Sequence, residues 1–578
     1  MAGIGAPIGN TSTQNSENKN YTFPLVIVTS LFFMWGFITC LNDILIPFLK
    51  DEYSLSNLQA NLVQSAFFGA YFIISLIYFI FSVKVFDPIQ RIGYKNAIIS
   101  GLVVAAIGCS LFIPAANLGS FTLFLIALFV MASGITILQM GANPYVTLLG
   151  KAETSSSRLN MTQAFNSLGT TIAPVIGGLL IFGARSADAV KGPYIGLAVA
   201  LVVLSLFILL SPLPRIASHH EEHSDILNKG KGALGYSHLV LGVICIFAYV
   251  GGEVAVGSNL ISYLREVIGM KKEHADSYLA IFWGGAMIGR FYGSIFLTGK
   301  TFELKKIVNI GFILAFSFVL GVFLVNKTYI VDSVVGQKQE NIITSHSDSA
   351  NFYQGGNVLY KAGDPLPAPK GKESVSDISK GRLTTTDVDT LFNRHLNVEM
   401  FEAKNTEGKE FLLYTHLKKK EIYLVTTEKV TFSWANLSFW EAGLFCMMAL
   451  LNIIAFFIGK YNPARTLAIF AGIVVLLLMV AVLGKGNFAM WSVLSIGLFN
   501  SIMFPTIFSL AIKGLGVDTS QGSSLLVMAI VGGGIVPPLQ GYLADITTVQ
   551  ISFLLPILCY AYVVFYGAIG SKQKTALS

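Results

Sequence analysis

Charge is scarce in this chain. Only 12% of its 578 residues are Asp, Glu, Lys or Arg, while 53% are apolar, and a soluble protein of this size cannot cover its surface with so few polar groups. Cysteine is scarce as well. The five residues, Cys40, Cys109, Cys245, Cys446 and Cys559, all lie inside apolar stretches without C-x-x-C spacing, which argues against disulfides and structural zinc. There is no phosphate-binding glycine loop, no H-E-x-x-H and no nucleophile with a nearby base. An ATP-driven pump, an intramembrane hydrolase and enzymes in general are therefore not expected, and no cofactor or metal is implied. Residues 1–21 lack a basic n-region and an A-x-A site ahead of the first apolar run, so that run reads as a retained helix and not a signal peptide. The basic excess, 39 Lys and Arg against 32 Asp and Glu, is spread over short loops, so no nucleic-acid partner is expected.

What the sequence has in quantity is hydrophobic length. A membrane span needs about 20 predominantly apolar residues, and the first part of the chain offers six such runs, near 23–48, 60–84, 96–115, 120–148, 161–183 and 193–212. Eight more follow, near 237–262, 274–299, 306–326, 438–459, 466–484, 488–513, 521–543 and 550–570. The chain thus divides into a polar tail (1–21), a six-helix bundle (22–213), a cytoplasmic linker (214–236), a second bundle (237–570) interrupted by an insertion (327–436), and a short tail (571–578). Within the insertion, KEFLLYTHLKKKEIYLVTTEKVTF alternates as a strand pair does. The expected fold is an all-α polytopic membrane protein, two six-helix bundles plus an extra helical hairpin carrying an extracytoplasmic β-containing insertion. Hydropathy does not say which two of the eight later spans form that hairpin. His219, His220 and His223 in the linker have no apolar scaffold to fix them as metal ligands.

Loop charge orients the chain. With both termini inside, the inner segments hold seventeen Lys and Arg and the short outer loops seven, the bias expected of cytoplasmic termini. The halves also echo each other. FFGAYFIIS (67–75) followed by Asp87 and Arg91 is matched by FWGGAMIGR (282–290) followed by Glu303 and Lys305. QMGANP (139–144) is matched by NSIMFP (500–505), and Pro174 before Gly177 and Gly178 by Pro537 before Gly541. Three matches in one order predict two related bundles around a central cavity.

Polar side chains at mid-helix positions are the candidates for chemistry. An ionised carboxylate at the bilayer centre costs roughly 2.5–3.5 kcal/mol, so it is kept where it faces a polar route or a partner. Asp43 and Glu253, one in each half, are thus expected to bind or exchange a coupling cation, H+ or Na+, with Arg290 as the neutralising alternative. Asn42, Gln139, Asn143, Gln163, Asn166, Asn259 and Asn500, with Trp35 and Trp283 nearby, form an amide-rich and aromatic set that suits a neutral polyol. Amides pair with hydroxyls and aromatic rings meet the C–H faces of a sugar. In the loop D-P-I-Q-R-I-G-Y-K (87–95), Asp87 and Arg91 are expected to gate, pairing with each other or with a neighbouring helix end in one conformation and releasing in the other.

The stretches LFFMWGFITCLNDILIP, ILQMGANPYVTLLG, RLNMTQAFNSLGTTIAP, YVGGEVAVGS and LFNSIMFPTIFSLAIKGLG closely resemble the bacterial fucose permease family of the major facilitator superfamily, in its glucose/galactose permease branch. The resemblance covers roughly 22–300 and 460–570. It implies twelve core helices, alternating access and cation-coupled sugar import across the bacterial inner membrane, by a single chain embedded in the lipid bilayer. It also implies that Asp43 is the essential first-helix acid and Gln163 the fifth-helix glutamine. Fucose permease has a glutamate in the fourth helix, where this chain has Gln139, and a glutamine in the seventh, where it has Glu253. That pattern points to glucose or galactose, with N-acetylglucosamine, another amino sugar or fucose as the alternative cargo. A sugar sensor that binds without translocating is the alternative of another class.

Overall fold

The structure, a computed structural model, describes the backbone of residues 21–573 apart from 53–56, 182–190, 215–231, 271, 299–302 and, inside the insertion, 345–351, 355–356, 361–367, 370–400, 405–409 and 417–420. Side chains are likewise not described at 42–62, 174–190, 271–277, 328, 331–332, 335 and 337–429. Among the described residues, thirteen helices are long and apolar enough to cross a membrane. The 27-residue helix Ser155–Ile181 runs beside them.

In the first half these are α1 (Thr22–Glu52), α2 (Asn57–Lys84), α3 (Tyr94–Asn117), α4 (Phe121–Leu148), α5 (Ser155–Ile181) and α6 (Lys191–Leu210). In the second they are α7 (Ser237–Glu266), α8 (Lys272–Phe296), α9 (Leu304–Val325), α10 (Phe439–Ile458), α11 (Pro463–Leu483), α12 (Gly486–Ala511), α13 (Gly516–Ile546) and α14 (Val549–Gly570).

Packing shows which helices repeat. In the first half α1 lies on α5, α2 on α4, and α3 on both α4 and α6. The same pattern returns with α7 on α13, α8 on α12, and α11 on both α12 and α14. Helices α9 and α10 have no counterpart; they pack on each other and on α8, and α10 also touches α11 and α12. They are the additional hairpin. One expectation is corrected by this. The second-half equivalent of Asp87–Pro88 is not at Glu303, which precedes α9, but at Asn462–Pro463, which starts α11. Asn462 caps that helix by accepting from the Arg465 N–H (3.1 Å), with Pro463 in the first turn. Proline fits there because the first-turn N–H has no helical partner to lose.

Glycine sets the closeness of the repeated crossings. A Cβ on Gly169 of α5 would stand 2.3 Å from the Phe33 carbonyl oxygen of α1, and one on Gly532 of α13 would stand 2.2 Å from the Phe247 carbonyl of α7. Neither site accepts a larger residue without the helices parting.

Residues Asn326–Ser438 form a compact unit of their own. After the helix Lys327–Val335 come β1 (Gln337–Thr344), β2 (Phe352–Gln354), β3 (Asn357–Tyr360), β4 (Ala368–Pro369), β5 (Phe401–Lys404), β6 (Glu410–His416) and β7 (Glu421–Lys429). The main sheet is antiparallel in the order β1-β7-β6-β5-β4, with β2 and β3 as a separate pair. Gln337 stands opposite Lys429, so the departing and returning strands leave the unit side by side. β6 and β7 are the alternating pair seen in the sequence, with Tyr414 opposite Tyr423.

Candidate transport site between the two bundles

Two prolines inside membrane-length helices shape the centre. Pro144 has no N–H for the Met140 carbonyl, and Pro505 none for Ser501, four residues back in each case. Both carbonyls take a donor from another helix. Ser523 Oγ of α13 donates to Met140 O across the two bundles (3.1 Å), and Arg290 Nε of α8 donates to Ser501 O (3.0 Å). In α12 the helix stops at Asn500, Ser501 and Ile502 form a turn, and it resumes at Met503. Side chains hold the other carbonyls at this break. Leu498 O accepts from Ser501 Oγ (2.6 Å) and from Asn452 Nδ2 (3.1 Å), and Asn500 O from the Tyr249 hydroxyl (3.1 Å).

Around this break lies a chain of buried polar groups drawn from both halves. Gln139 of α4 donates to the Tyr71 hydroxyl of α2 (2.7 Å), and Tyr71 adjoins Trp35 of α1. Trp35 packs on Phe32 with ring centroids 5.3 Å apart, and the Phe32 carbonyl accepts from Asn166 Nδ2 of α5 (2.9 Å). One turn earlier on α5, the Gln163 carbonyl accepts from Arg290 Nη1 (3.4 Å), which also donates to Ser167 Oγ. Arg290 is 8% exposed. Its planar fork bonds to α12 of its own bundle and to α5 of the other, a geometry the point charge of lysine does not reproduce.

Several of these buried groups still have bonding capacity. Among the described residues, Gln139 Oε1, Gln163 Nε2, Glu253 Oε1 and both amide atoms of Asn143 and of Asn500 have no protein partner. An unmade hydrogen bond at a buried group costs about 1–3 kcal/mol, so each of these atoms is a candidate partner for a polar ligand. Glu253, on α7 one turn from Tyr249, has Arg290 and the hydroxyls of Tyr249 and Tyr560 as electrostatic neighbours. A buried carboxylate beside a buried guanidinium is either paired with it or protonated.

Other expected residues stand differently. Asn259 donates to the Ala255 carbonyl of its own helix (3.0 Å) and is only half-buried. Trp283 lies against Gly257, two turns along α8 from Arg290. Helix α1 runs unbroken past positions 42 and 43, but the side chains of Asn42 and Asp43 lie outside those described. So do the linker histidines His219, His220 and His223. Among the described residues no cluster of three or more His, Cys, Asp or Glu is placed to hold a metal ion.

At the loop between α2 and α3, Asp87 pairs with neighbouring helix ends, the second of the two expected arrangements, and not with Arg91. Asp87 is buried and caps the short helix Pro88–Ile92, accepting from the N–H groups of Ile89 (3.0 Å) and Gln90 (3.2 Å). It also accepts from the Tyr78 hydroxyl (2.5 Å) and, across the bundles, from Ser520 Oγ of α13. Four donors satisfy the carboxylate, so it has no need of a cation. Arg91 points away, its guanidinium 4.8 Å from the Phe86 ring centre. Gln90 Nε2 donates to the Val517 carbonyl, Ser157 Oγ to Ser294 O, and the hydroxyls of Ser156 and Ser509 hydrogen-bond to each other. These contacts join the bundles on the side of the α2–α3 and α4–α5 loops.

The family model described as Major Facilitator Superfamily matches residues 26–336, more than half of the chain. The chain belongs to the Major Facilitator Superfamily. It is 39% identical to a glucose/galactose transporter of Brucella abortus, over 97% of each chain. It is 32% identical to a putative glucose/galactose transporter of Helicobacter pylori, over 96% of this chain and 99% of the other, and 26% identical to the L-fucose-proton symporter of Escherichia coli, over 98% and 100%. A crystal structure of FucP, a Major Facilitator Superfamily transporter in the outward conformation, matches with a TM-score of 0.61 at 25% identity, covering 96% of this chain and all of the other. The major facilitator fold accounts for the repeated packing of the two bundles.

What sequence reasoning underweighted in this facilitator is the backbone of α12. Pro505 was legible, and the rule that a proline frees the carbonyl four residues back points straight at Ser501. Arg290, its buried donor, was visible only as a neutraliser, because its three bonding partners come from distant parts of the chain.

Proposed function

We propose that this chain carries a hexose, glucose or galactose, inward across the bacterial inner membrane together with a proton, by alternating access, with both termini in the cytoplasm. The observation that carries this reading is the set of buried amides from both bundles, Gln139, Asn143, Gln163 and Asn500, that keep atoms without a protein partner among the described residues. Amides with free donors and acceptors meet sugar hydroxyls, each of which both gives and takes a hydrogen bond. Near-full-length similarity to glucose/galactose transporters supports the cargo, and similarity to L-fucose-proton symporters supports the ion.

On this reading Glu253 and Asp43 load the proton. Deprotonated Glu253 pairs with Arg290. Protonation removes that attraction and leaves the guanidinium to its Ser501, Ser167 and Gln163 partners, so proton and sugar bind at one linked network. Asp87 on Ser520 then serves as the latch of the inward-closed state, with Gln90 on Val517 beside it. The experiment is uptake of radiolabelled glucose and galactose by proteoliposomes of the full chain, with proton and sodium gradients imposed separately. Accumulation driven by the proton gradient alone supports the proposal. Binding without entry or counterflow favours a non-transporting sensor, and competition by N-acetylglucosamine or fucose at lower concentration than glucose reassigns the cargo.

A further inference from the structure

The additional hairpin reaches the broken helix α12 through a buried side chain. Asn452 of α10 is fully buried, and its Nδ2 donates to the Leu498 carbonyl at 3.1 Å. Leu498 stands two residues before Asn500, in the last turn before the break. From that one turn Tyr249 holds the Asn500 carbonyl and Arg290 the Ser501 carbonyl, so each of the three carbonyls is gripped by a different helix. Two of those helices, α7 and α8, belong to the twelve that repeat. The third does not.

We infer that Asn452 is a positioning residue for the sugar site, and that the additional hairpin braces the broken helix from outside so that the Asn500 amide keeps its direction. This rests on the transport reading of the same site. The physical need is local. A helix interrupted by a turn has carbonyls without helical donors, and in a bilayer no water replaces them. Ser501 Oγ also bonds Leu498 O, but it belongs to the turn itself and moves with it. Of the two donors to Leu498 O, Asn452 is the one that ties it to a separate helix. Close packing on the other flank leaves the turn little slack, since a Cβ on Gly289 of α8 would stand 2.5 Å from the same Leu498 oxygen. Asn452 Oδ1 is buried without a protein partner among the described residues, so its amide orientation is fixed by the Leu498 bond alone.

The test compares three variants of the full chain in proteoliposomes. Asn452→Leu keeps the volume and removes the donor. Asn452→Gln keeps an amide donor. Phe445→Ala loosens the packing of α10 on Gly321 of α9 without touching the break. The expected result is that Asn452→Leu raises KM for galactose roughly tenfold with the maximal rate within about twofold, as loss of one positioning hydrogen bond does. Asn452→Gln is expected to recover most of that loss, while Phe445→Ala lowers the melting temperature and leaves KM alone. An unchanged KM in Asn452→Leu, or an equal shift in Phe445→Ala, would overturn the inference while wild-type uptake stands. Wild-type vesicles that take up neither sugar would overturn the transport reading, and this one with it.

Discussion

At the residue scale the electrostatic centre is the pair Glu253 and Arg290. Both are buried, 9% and 8% exposed, and they come from adjacent helices of one bundle, while the guanidinium also reaches across to the other. Replacing Glu253 with Gln fixes the neutral form. We expect it to abolish uphill accumulation, keep sugar exchange within a fewfold of wild type, and flatten the pH dependence of that exchange; undiminished accumulation would exclude Glu253 from coupling. Replacing Arg290 with Lys keeps the charge but loses the fork, and should slow uptake roughly tenfold or more because two or three buried hydrogen bonds go unmade. Residue types and depth in the helix made Gln139, Asn143, Gln163, Asn166, Glu253 and Asn500 legible in the sequence. Their partners were not. Asn259 turns to its own backbone and Asp87 to Ser520, because a short side chain takes the nearest fitting partner and sequence spacing does not record what lies across a helix interface.

At the element scale the span positions were readable to within a few residues, since twenty apolar residues in a row admit few alternatives. Which spans pair was not readable, as hydropathy carries no information about neighbours. The additional pair emerged only when α9 and α10 were seen to lack counterparts. The glycine crossings give a direct check on the repeat. Gly169→Ala and Gly532→Ala each force a methyl group against a carbonyl at 2.3 and 2.2 Å, and each should cost on the order of 1–3 kcal/mol, read as a lower melting temperature in detergent. The latch gives another. Asp87→Asn and Ser520→Ala weaken the bond between the α2–α3 loop and the start of α13. Spin labels at Lys84→Cys and Lys513→Cys, both exposed, should report a longer distance populated several-fold more in either variant, as the loss of about 1–2 kcal/mol at one interface predicts. Distances indistinguishable from wild type would remove Asp87 from gating.

For the whole molecule, the inter-bundle contacts follow the repeat. Helix α5 packs on α8, and α2 on α13, the same pair of positions with the halves exchanged. Two bundles related in this way can rock about a shared site and reverse which side is open. The carbonyls freed by Pro144 and Pro505 lie where they meet, one taken by Ser523 of the opposite bundle and the other by Arg290, which reaches the opposite bundle. The most direct measurement is external pH in a lightly buffered, sodium-free suspension of de-energised proteoliposomes as galactose is added. The account predicts a transient alkalinisation that follows sugar entry and disappears in the Glu253→Gln variant. Sugar entry at the wild-type rate with no pH change would contradict it.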